Sequence, residues 1–439
     1  MILAMIIIFV IGYLLIAFEH PLRANKSTFA LIMCGVLWTV YALHSGSETI
    51  HYDIMVHLGD TCEIVVFLIG AMTIVEHIDN YGGFSAITER IHAGNKRKLM
   101  WVLSFVTFFM SAVLDNMTTT IIMVMMLRRL IADQKERWLF AGIIVLAANS
   151  GGAWSPIGDV TTIMLWMAEK VSTGSLIVNL LLPSLVSVII PVMIASRYLD
   201  DGEVMHLKNT GTNAQMAIAH PHISKIMLCV GVAGLLFVPV FKTLTGLPPF
   251  MGMMISLGVI WLITEILITR YHIDHKLGGR VTQAVRHIDM PSILFFLGIL
   301  LSVSALQQAG VLSNVAGAMN EGIHEPYSMT TIIGALSSIV DNVPLVAACI
   351  KMFTGMVDPD PAYMAFFVED GLFWHLLTFC AGVGGSLLII GSAAGVVAMG
   401  IEKIPFFWYV KHITLLALVG YIAGIVLIWL EDICPYITI

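Results

Sequence analysis

Long runs of apolar residues, separated by short polar stretches, make up most of the chain. Crossing the hydrocarbon core of a bilayer takes about 20 apolar residues in a helix, and twelve segments reach or approach that length. They are residues 2–18, 27–43, 62–78, 99–127, 138–168, 175–196, 224–243, 250–269, 290–308, 328–353, 371–400 and 408–430. The pattern predicts an all-α polytopic membrane protein.

The composition agrees with this prediction. Of the 439 residues, 58% are hydrophobic and 12% are charged, whereas soluble domains carry about 25% charged residues. The first apolar run has no basic segment before it and no small-residue cleavage site after it, so we expect it to be retained as a span. The six cysteines are scattered without a CxxC pair, so neither a disulfide framework nor a metal site is expected from them.

The positions of Lys and Arg indicate how the segments are oriented. We place the N-terminus outside and let 99–127 and 328–353 return to the side from which they entered. Nineteen of the 22 Lys and Arg residues then lie on the cytoplasmic side, as the positive-inside rule requires. If both segments crossed fully, four basic residues would face outward, namely Arg128, Arg129, Lys135 and Arg137. The count therefore favours two re-entrant hairpins, and it places the N-terminus and the C-terminus outside.

Three pairs of similar motifs, in one order along the chain, indicate an internal repeat. The pairs are 67–84 with 295–312, 115–116 with 341–342, and 151–159 with 384–392. Each half then holds five spans and one hairpin. Because five is odd, the second half enters the membrane in the opposite direction. Inverted-topology repeats of this kind are typical of secondary transporters.

The repeat divides the chain into two halves, residues 1–200 and residues 224–439. A cytoplasmic linker, residues 201–223, joins them. Each half is predicted to contain one re-entrant hairpin and one helix that is broken near the membrane midplane. The hairpins are 99–127 and 328–353, and the broken helices are 138–168 and 371–400. The tips of the two hairpins are expected to approach each other from opposite faces.

Acidic residues within apolar segments are the clearest functional signal. A charged residue at the bilayer centre costs about 2.5–3.5 kcal/mol on insertion scales, and it is retained where it has a partner or a task. Asp115, Asp159 and Asp341 are the prominent cases. Asn116 and Asn342 follow two of them, and Asp or Asn favours the start of a new helix. Each hairpin is therefore expected to turn at its Asp-Asn pair and to present oxygen atoms to a cavity.

Glycine and proline interrupt the two segments that are predicted to be broken helices. Such interruptions are a sequence pointer to a transporter's binding site, although glycines also let neighbouring helices pack closely. The residues at the breaks are Asn149, Gly151, Gly152, Ser155, Pro156, Gly158, Gly384, Gly385 and Gly391. Asp159 directly follows the first break and favours a binding site there. For the second break, close packing is an open alternative.

The side chains at the tips and breaks are carboxylates, amides and hydroxyls. With free backbone carbonyls they form a set of hard oxygen donors that suits Na⁺. No Lys or Arg stands at these positions in the sequence, so the acids are expected to hold protons when no cation is bound. A cation and a proton that compete for the same carboxylates are the basis of antiport. No cofactor, enzymatic activity or nucleic-acid partner is expected, and membrane lipid surrounds the protein.

The motifs LDNMTTT, NSGGAWSPIGDVTT, VDNVPL and GGSLLIIGSAAG, in this order, resemble those of NhaD-type sodium/proton antiporters. These belong to the ion transporter superfamily, together with divalent anion/sodium symporters and arsenite permeases. The resemblance covers nearly the whole chain. It implies inverted repeats with a scaffold part and a transport part, a homodimer, and elevator-like movement. It also implies export of Na⁺ or Li⁺ against H⁺ at a bacterial inner membrane, and thus a part in pH homeostasis.

By this resemblance, the polar site residues of the family fall on positions in both halves. They are Asp115, Asn116, Thr118, Asp159, Thr161, Ser337, Asp341, Asn342 and Ser392. Ile389 departs from the pattern, because relatives can carry a serine there. Backbone carbonyls of the second broken helix can still serve in its place.

Several alternatives stay open. A sodium-coupled symporter of carboxylates, or a metalloid-anion permease, would favour hairpin tips without acids. An intramembrane aspartyl protease needs two acids that face one water, and it would need neither the mirrored Asn residues nor a repeat. Glu76 and His77 could sense pH because imidazole titrates near neutrality, or they could be structural; the second half carries no counterpart.

Overall fold

The computed structural model describes residues 1–17, 24–45, 50–84, 95–199, 221–271, 280–339, 341–355 and 358–433. Every regular element within these ranges is helical. Nearly all of the predicted linker 201–223 lies outside the described residues.

Twenty α-helices within these ranges, numbered α1–α20 in chain order, form the fold. They are α1 Ile2–Ala17, α2 Lys26–Ser45, α3 Ile50–Asn80, α4 Lys96–Leu114, α5 Asn116–Leu130, α6 Gln134–Ala153, α7 Val160–Met167, α8 Thr173–Ser196, α9 Pro221–Thr245, α10 Pro249–Tyr271, α11 Val281–His287, α12 Met290–Gln308, α13 Val311–Ile323, α14 Pro326–Leu336, α15 Asn342–Phe353, α16 Pro361–Met364, α17 Leu372–Gly384, α18 Ala393–Glu402, α19 Phe406–His412 and α20 Thr414–Ile433.

The described residues include eight helices that are long and apolar enough to cross a membrane, or up to ten if two bent pairs each count as one span. The protein is thus a multi-pass membrane protein, as predicted. Two predicted bounds were wrong. The span predicted at 62–78 is part of α3, which has 31 residues, because polar residues near its start hid the first turns. The span predicted at 408–430 is divided between α19 and α20 at Ile413. The chain also bends by 114° between α18 and α19.

The helices pack in two groups, each drawn from both halves of the chain. The first helix group comprises α1–α3 and α9–α12, which pack mainly on one another. The second helix group comprises α4–α8, α14, α17, α18 and α20. Helix α15 lies at the boundary, in contact with α12 of the first group and α7 of the second. This boundary is where residues from the two groups can form a shared site.

The same contacts occur once in each half of the second helix group. Ser111 donates its hydroxyl to the carbonyl of Ala148 at 2.6 Å, and Ser337 donates to the carbonyl of Ala381 at 2.8 Å. The two serines are 226 positions apart, as Asp115 and Asp341 are. These paired contacts show that the recurring motifs occupy equivalent local environments, which supports the internal repeat.

A buried carboxylate joins the two halves at one end of the second helix group. The Glu402 side chain, at the end of α18, is fully buried, and it pairs with Arg128 Nε at 2.6 Å and Arg137 Nε at 2.9 Å. Trp138 and Gln134 donate to the Glu402 backbone carbonyl. A buried charge is strongly destabilising when its partners are removed, so this cluster fixes α18 against α5 and α6.

We predict that Glu402→Gln lowers the free energy of unfolding by about 3 kcal/mol, because it leaves two arginines without their buried counter-charge. The measurement is the thermal unfolding midpoint of the purified protein in detergent. Glu136→Gln is the matched control, since Glu136 pairs with Lys96 at a more exposed position, where an ion pair contributes at most about 1 kcal/mol. Equal midpoints for the two variants would contradict the assigned role.

Candidate functional site

The tip of the first predicted hairpin is a one-residue break at Asp115, between α4 and α5. Asp115 has φ +80°, a conformation that costs an L-residue about 1–3 kcal/mol and is found mainly at functional sites. Its carboxylate accepts the backbone N–H and the hydroxyl of Thr118, each at 2.8 Å. These bonds satisfy the first turn of α5 and hold Asp115, which is partly exposed, at the tip.

The tip of the second hairpin carries Asp341, which caps α15. Its carboxylate accepts the backbone N–H of Val343 at 3.3 Å. It also accepts a hydrogen bond from Lys26 Nζ at 3.2 Å. The expectation that the acids have no basic partner was therefore wrong for Asp341. Lys26 lies 315 positions away in sequence. The residues at the tips and breaks therefore give no sign of this contact.

Asp159 is the point at which both tips meet. It stands at the break between α6 and α7 and is 2% exposed. One carboxylate oxygen accepts the backbone N–H of Thr161 at 3.1 Å and so caps α7. The other accepts the amide of Asn116 at 2.8 Å and the amide of Asn342 at 3.3 Å. The two Asn residues that follow the tip aspartates thus donate to one buried oxygen.

Asn149, near the end of α6, extends this network to the second broken helix. Its amide oxygen accepts from Asn116 at 3.1 Å, and its amide nitrogen donates to Ser392 at 2.8 Å and to Ser386 at 2.9 Å. Ser392 caps α18 as Asp159 caps α7. Sequence reasoning missed Ser386, although its position directly after Gly385 in the second break could have suggested it.

Two glycines of the breaks let backbones come into close contact. A methyl group on Gly151 would lie 2.2 Å from the carbonyl oxygen of Phe108 in α4, and one on Gly384 would lie 2.3 Å from that of Gly334 in α14. Both glycines therefore place a broken helix directly against the first helix of a hairpin. The packing interpretation of the second break is supported for Gly384, and it holds equally for the first break.

A cavity of about 60 Å³ lies between the two helix groups. All three aspartates line it, together with Lys26, Asn116 and Asn342. The rest of its wall is largely apolar, with α3, α9, α10 and α12 on the side of the first helix group. Water in bulk takes about 30 Å³ per molecule, so the space matches an ion with very few waters.

A second cavity, of about 330 Å³, lies further along α3, α7, α12 and α15. Its wall carries Asp60, Glu63, Lys170 and Lys351, and Lys351 pairs with Asp60 at 3.5 Å. The two cavities lie on the same boundary between the helix groups and are lined by successive segments of these four helices.

The other predicted site residues are distributed as follows. Thr118 bonds to Asp115, and Thr161 is fully buried at the start of α7. Ser337 lies behind the second tip, where its hydroxyl bonds to Ala381, and it does not line the 60 Å³ cavity. Ser111 occupies the equivalent place in the first half; the spacing of Ser and Asp, four residues in both hairpins, was a signal that could have found it. Ile389 is fully buried.

His77 lies apart from these residues. It is 1% exposed, and its Nε2 atom is 2.8 Å from the hydroxyl of Thr264 in α10. Its ring packs edge-on against Tyr81, and Glu76 is half-buried beside it. This packing supports the structural interpretation of the pair.

The carboxylates do not converge as a preformed metal cluster. Within the described part of the chain, no three His, Cys, Asp or Glu side chains are grouped so that they could hold a metal ion. The cavity also offers neutral amide groups, those of Asn116 and Asn342, beside its carboxylates.

The fold and the site describe a membrane transport protein, and comparisons with known proteins agree. Residues 13–368 match the CitMHS family, described as citrate transporter. Sodium/proton antiporter 2 of Arabidopsis thaliana is 43% identical over 96% of this chain and 97% of its own length. The Na(+)/H(+) antiporter NhaD of Vibrio cholerae is 30% identical over 97% of this chain and 90% of its own length. The chain therefore belongs to the NhaD-type sodium/proton antiporter family.

A solved structure shows the same fold at low sequence identity. The YdaH transporter of Alcanivorax borkumensis superposes with a TM-score of 0.59 at 10% identity, and the match covers 96% of this chain and 98% of that one.

We predict that Gly151→Ala and Gly384→Ala each lower the free energy of unfolding by about 1–3 kcal/mol, because the added methyl group overpacks a backbone contact. Thermal unfolding in detergent measures the effect. Gly35→Ala in α2 is the control, since its methyl group would meet no atom within 4 Å; there alanine is expected to be neutral or slightly stabilising. Wild-type midpoints for both site variants would show that the helices do not need this close approach.

Proposed function

We propose that the protein exchanges Na⁺, or Li⁺, for H⁺ at the cavity between the two helix groups. The observation that carries the proposal is the meeting of both hairpin tips on Asp159, through the amides of Asn116 and Asn342. In this arrangement the amides donate to the carboxylate. A bound Na⁺ requires oxygen ligands, so rotation of the two amides would turn their oxygens toward it and leave Asp159 as an anionic ligand.

The same residues explain why protons compete with the cation. A carboxylate that is taken out of water favours its neutral form unless a positive charge replaces the lost solvation. In a space of about 60 Å³, Na⁺ can supply that positive charge, and H⁺ can instead bind to the carboxylate and neutralise it. Because both act on the same oxygens, binding of one releases the other, and a carrier that moves only when one is bound couples their flows.

The description of the CitMHS family as citrate transporter makes carboxylate transport the second candidate. Pockets for organic ligands usually have about 300–1,000 Å³, well above the volume found around Asp159. Three aspartates and one lysine line that space, and this balance of charge repels a carboxylate substrate. The two relatives compared above match nearly the full chain and are named antiporters. Their names also favour cation exchange over enzymatic activity.

The proposal includes the elevator-like movement and the homodimer that the family resemblance implies. The recurring contacts of Ser111 and Ser337 support two inverted repeats, and the two helix groups correspond to a scaffold part and a transport part. We propose a homodimer in a bacterial inner membrane, with both termini outside, in which the second helix group slides past the first. The 330 Å³ cavity is then a candidate route from the site toward one face.

We predict that adding Na⁺ to everted vesicles containing the protein dissipates a preformed ΔpH, and that Asp159→Asn abolishes this response. Asparagine keeps hydrogen bonding to Asn116 and Asn342 but removes the charge that holds either cation. A pH-sensitive dye measures the change, with K⁺ as the control ion and Glu136→Gln as the control variant, because Glu136 lies outside the cavity.

If Na⁺ fails to dissipate the ΔpH in wild-type vesicles at both neutral and alkaline pH, cation exchange is refuted. Dissipation or Na⁺ uptake that required added citrate would support the symporter instead. Unchanged activity in Asp159→Asn would show that the ion is held elsewhere.

We predict that residues 98 and 135, which flank the first hairpin, are reached from the same side of the membrane. The test introduces Lys98→Cys or Lys135→Cys into a background whose six native cysteines are replaced. A membrane-impermeant maleimide is then added to everted and to right-side-out vesicles. Both positions are exposed, so both should react. Labelling from opposite sides would mean that α4 and α5 cross the membrane together as one span.

A further inference from the structure

A lysine from the first helix group lies in the proposed cation site between the two groups. The Lys26 ammonium lies 3.2 Å from Asp341 Oδ2 and 4.3 Å from the centre of the Phe295 ring. Lys26 and Asp341 both line the 60 Å³ cavity with Asp115 and Asp159. Their side chains are only 20% and 16% exposed. A positive charge that belongs to the protein is therefore already bound where a transported cation is expected.

The position of Lys26 is fixed by the helix that carries it. Lys26 is the first residue of α2, and the next residue, Ser27, donates its hydroxyl to the carbonyl of Pro291 at 2.5 Å. Further along α2, Trp38 donates to the carbonyl of Leu301 at 3.0 Å. Both acceptors lie in α12, so the base of the Lys26 side chain is anchored to the first helix group and cannot follow movement of the second.

The two partners therefore come from different sides of the boundary. Asp341 stands at the start of α15, four residues after Ser337, which is bonded to α17 of the second helix group. The flexible four-carbon stem of a lysine lets its ammonium reach and leave a partner. The Phe295 ring provides a second favourable contact for the ammonium, and it belongs to the first helix group.

We propose that Lys26 is a tethered competitor of Na⁺ for Asp341. When the site holds no Na⁺, the ammonium neutralises Asp341; when Na⁺ enters, it takes over the carboxylate and the ammonium withdraws toward Phe295. Release of this ion pair also removes a direct link between the two helix groups, so that the second group becomes free to move once the ion is bound. This inference rests on the proposed cation exchange and makes Lys26 a residue that sets the affinity for the ion.

The test compares Lys26→Gln, Lys26→Arg and Lys96→Gln with the wild-type protein. At alkaline pH, we expect Lys26→Gln to lower the KM for Na⁺ by about threefold or more. The reason is that Na⁺ no longer has to displace the Lys26 ammonium from Asp341. Lys26→Arg keeps a permanent charge, so its KM should stay at or above the wild-type value. Lys96→Gln removes a lysine from a pair with Glu136 outside the cavity and should leave the KM unchanged.

Na⁺ binding to the purified proteins gives a second readout that does not depend on transport. The Na⁺ concentration that raises the thermal unfolding midpoint halfway should fall in Lys26→Gln by the same factor as the KM. An unchanged or higher KM in Lys26→Gln would overturn the inference, and so would an equal decrease in Lys26→Arg, which would point to lost packing. If the Lys26→Gln protein does not accumulate, Lys26→Arg alone decides. A KM for Na⁺ below the wild-type value would overturn the inference, and a KM at or above that value would support it. A wild-type protein without Na⁺-driven proton movement would instead refute the proposed function.

Discussion

The arrangement of the candidate site depends on one buried carboxylate, Asp159, and on the partners that such a group needs inside a membrane. Lipid offers no hydrogen bonds, so each polar group at that depth needs a partner from the protein. Asp159 obtains its partners from the start of α7 and from the amides of both hairpins. The two halves of the chain thus both supply hydrogen-bond donors to one buried group.

The breaks in the helices follow from the same requirement. Where a helix begins inside the membrane, its first N–H groups have no partner within the helix. Asp115, Asp159, Asp341 and Ser392 each accept one of them. The capping side chain is therefore also the side chain that faces the site, and the fold places an acidic or hydroxyl oxygen at each point where the backbone is interrupted. The way in which these helices start thus brings together the oxygens of the proposed cation site.

Much of this could be predicted from the sequence, because the relevant signals are local. Apolar length located the spans, and Asp-Asn pairs and glycine clusters located the tips and breaks. The repeat offset linked the two halves and could also have identified Ser111. What could not be predicted is contact between positions far apart in the chain. In the sequence, Lys26 is one of many basic residues near the ends of predicted spans, and nothing local indicates that it reaches Asp341. Likewise, the Glu402 cluster joins residues that differ by more than 260 positions.

The most direct test of the account is proton release from the purified protein when Na⁺ binds. In weakly buffered detergent solution, a pH indicator would follow the addition of NaCl, with choline chloride as the control for ionic strength. If Na⁺ and H⁺ share the carboxylates around Asp159, Na⁺ should release protons from the wild-type protein, and Asp159→Asn should release few or none. Sodium binding without proton release from the wild-type protein would contradict the central claim, because the two ions would then occupy separate sites.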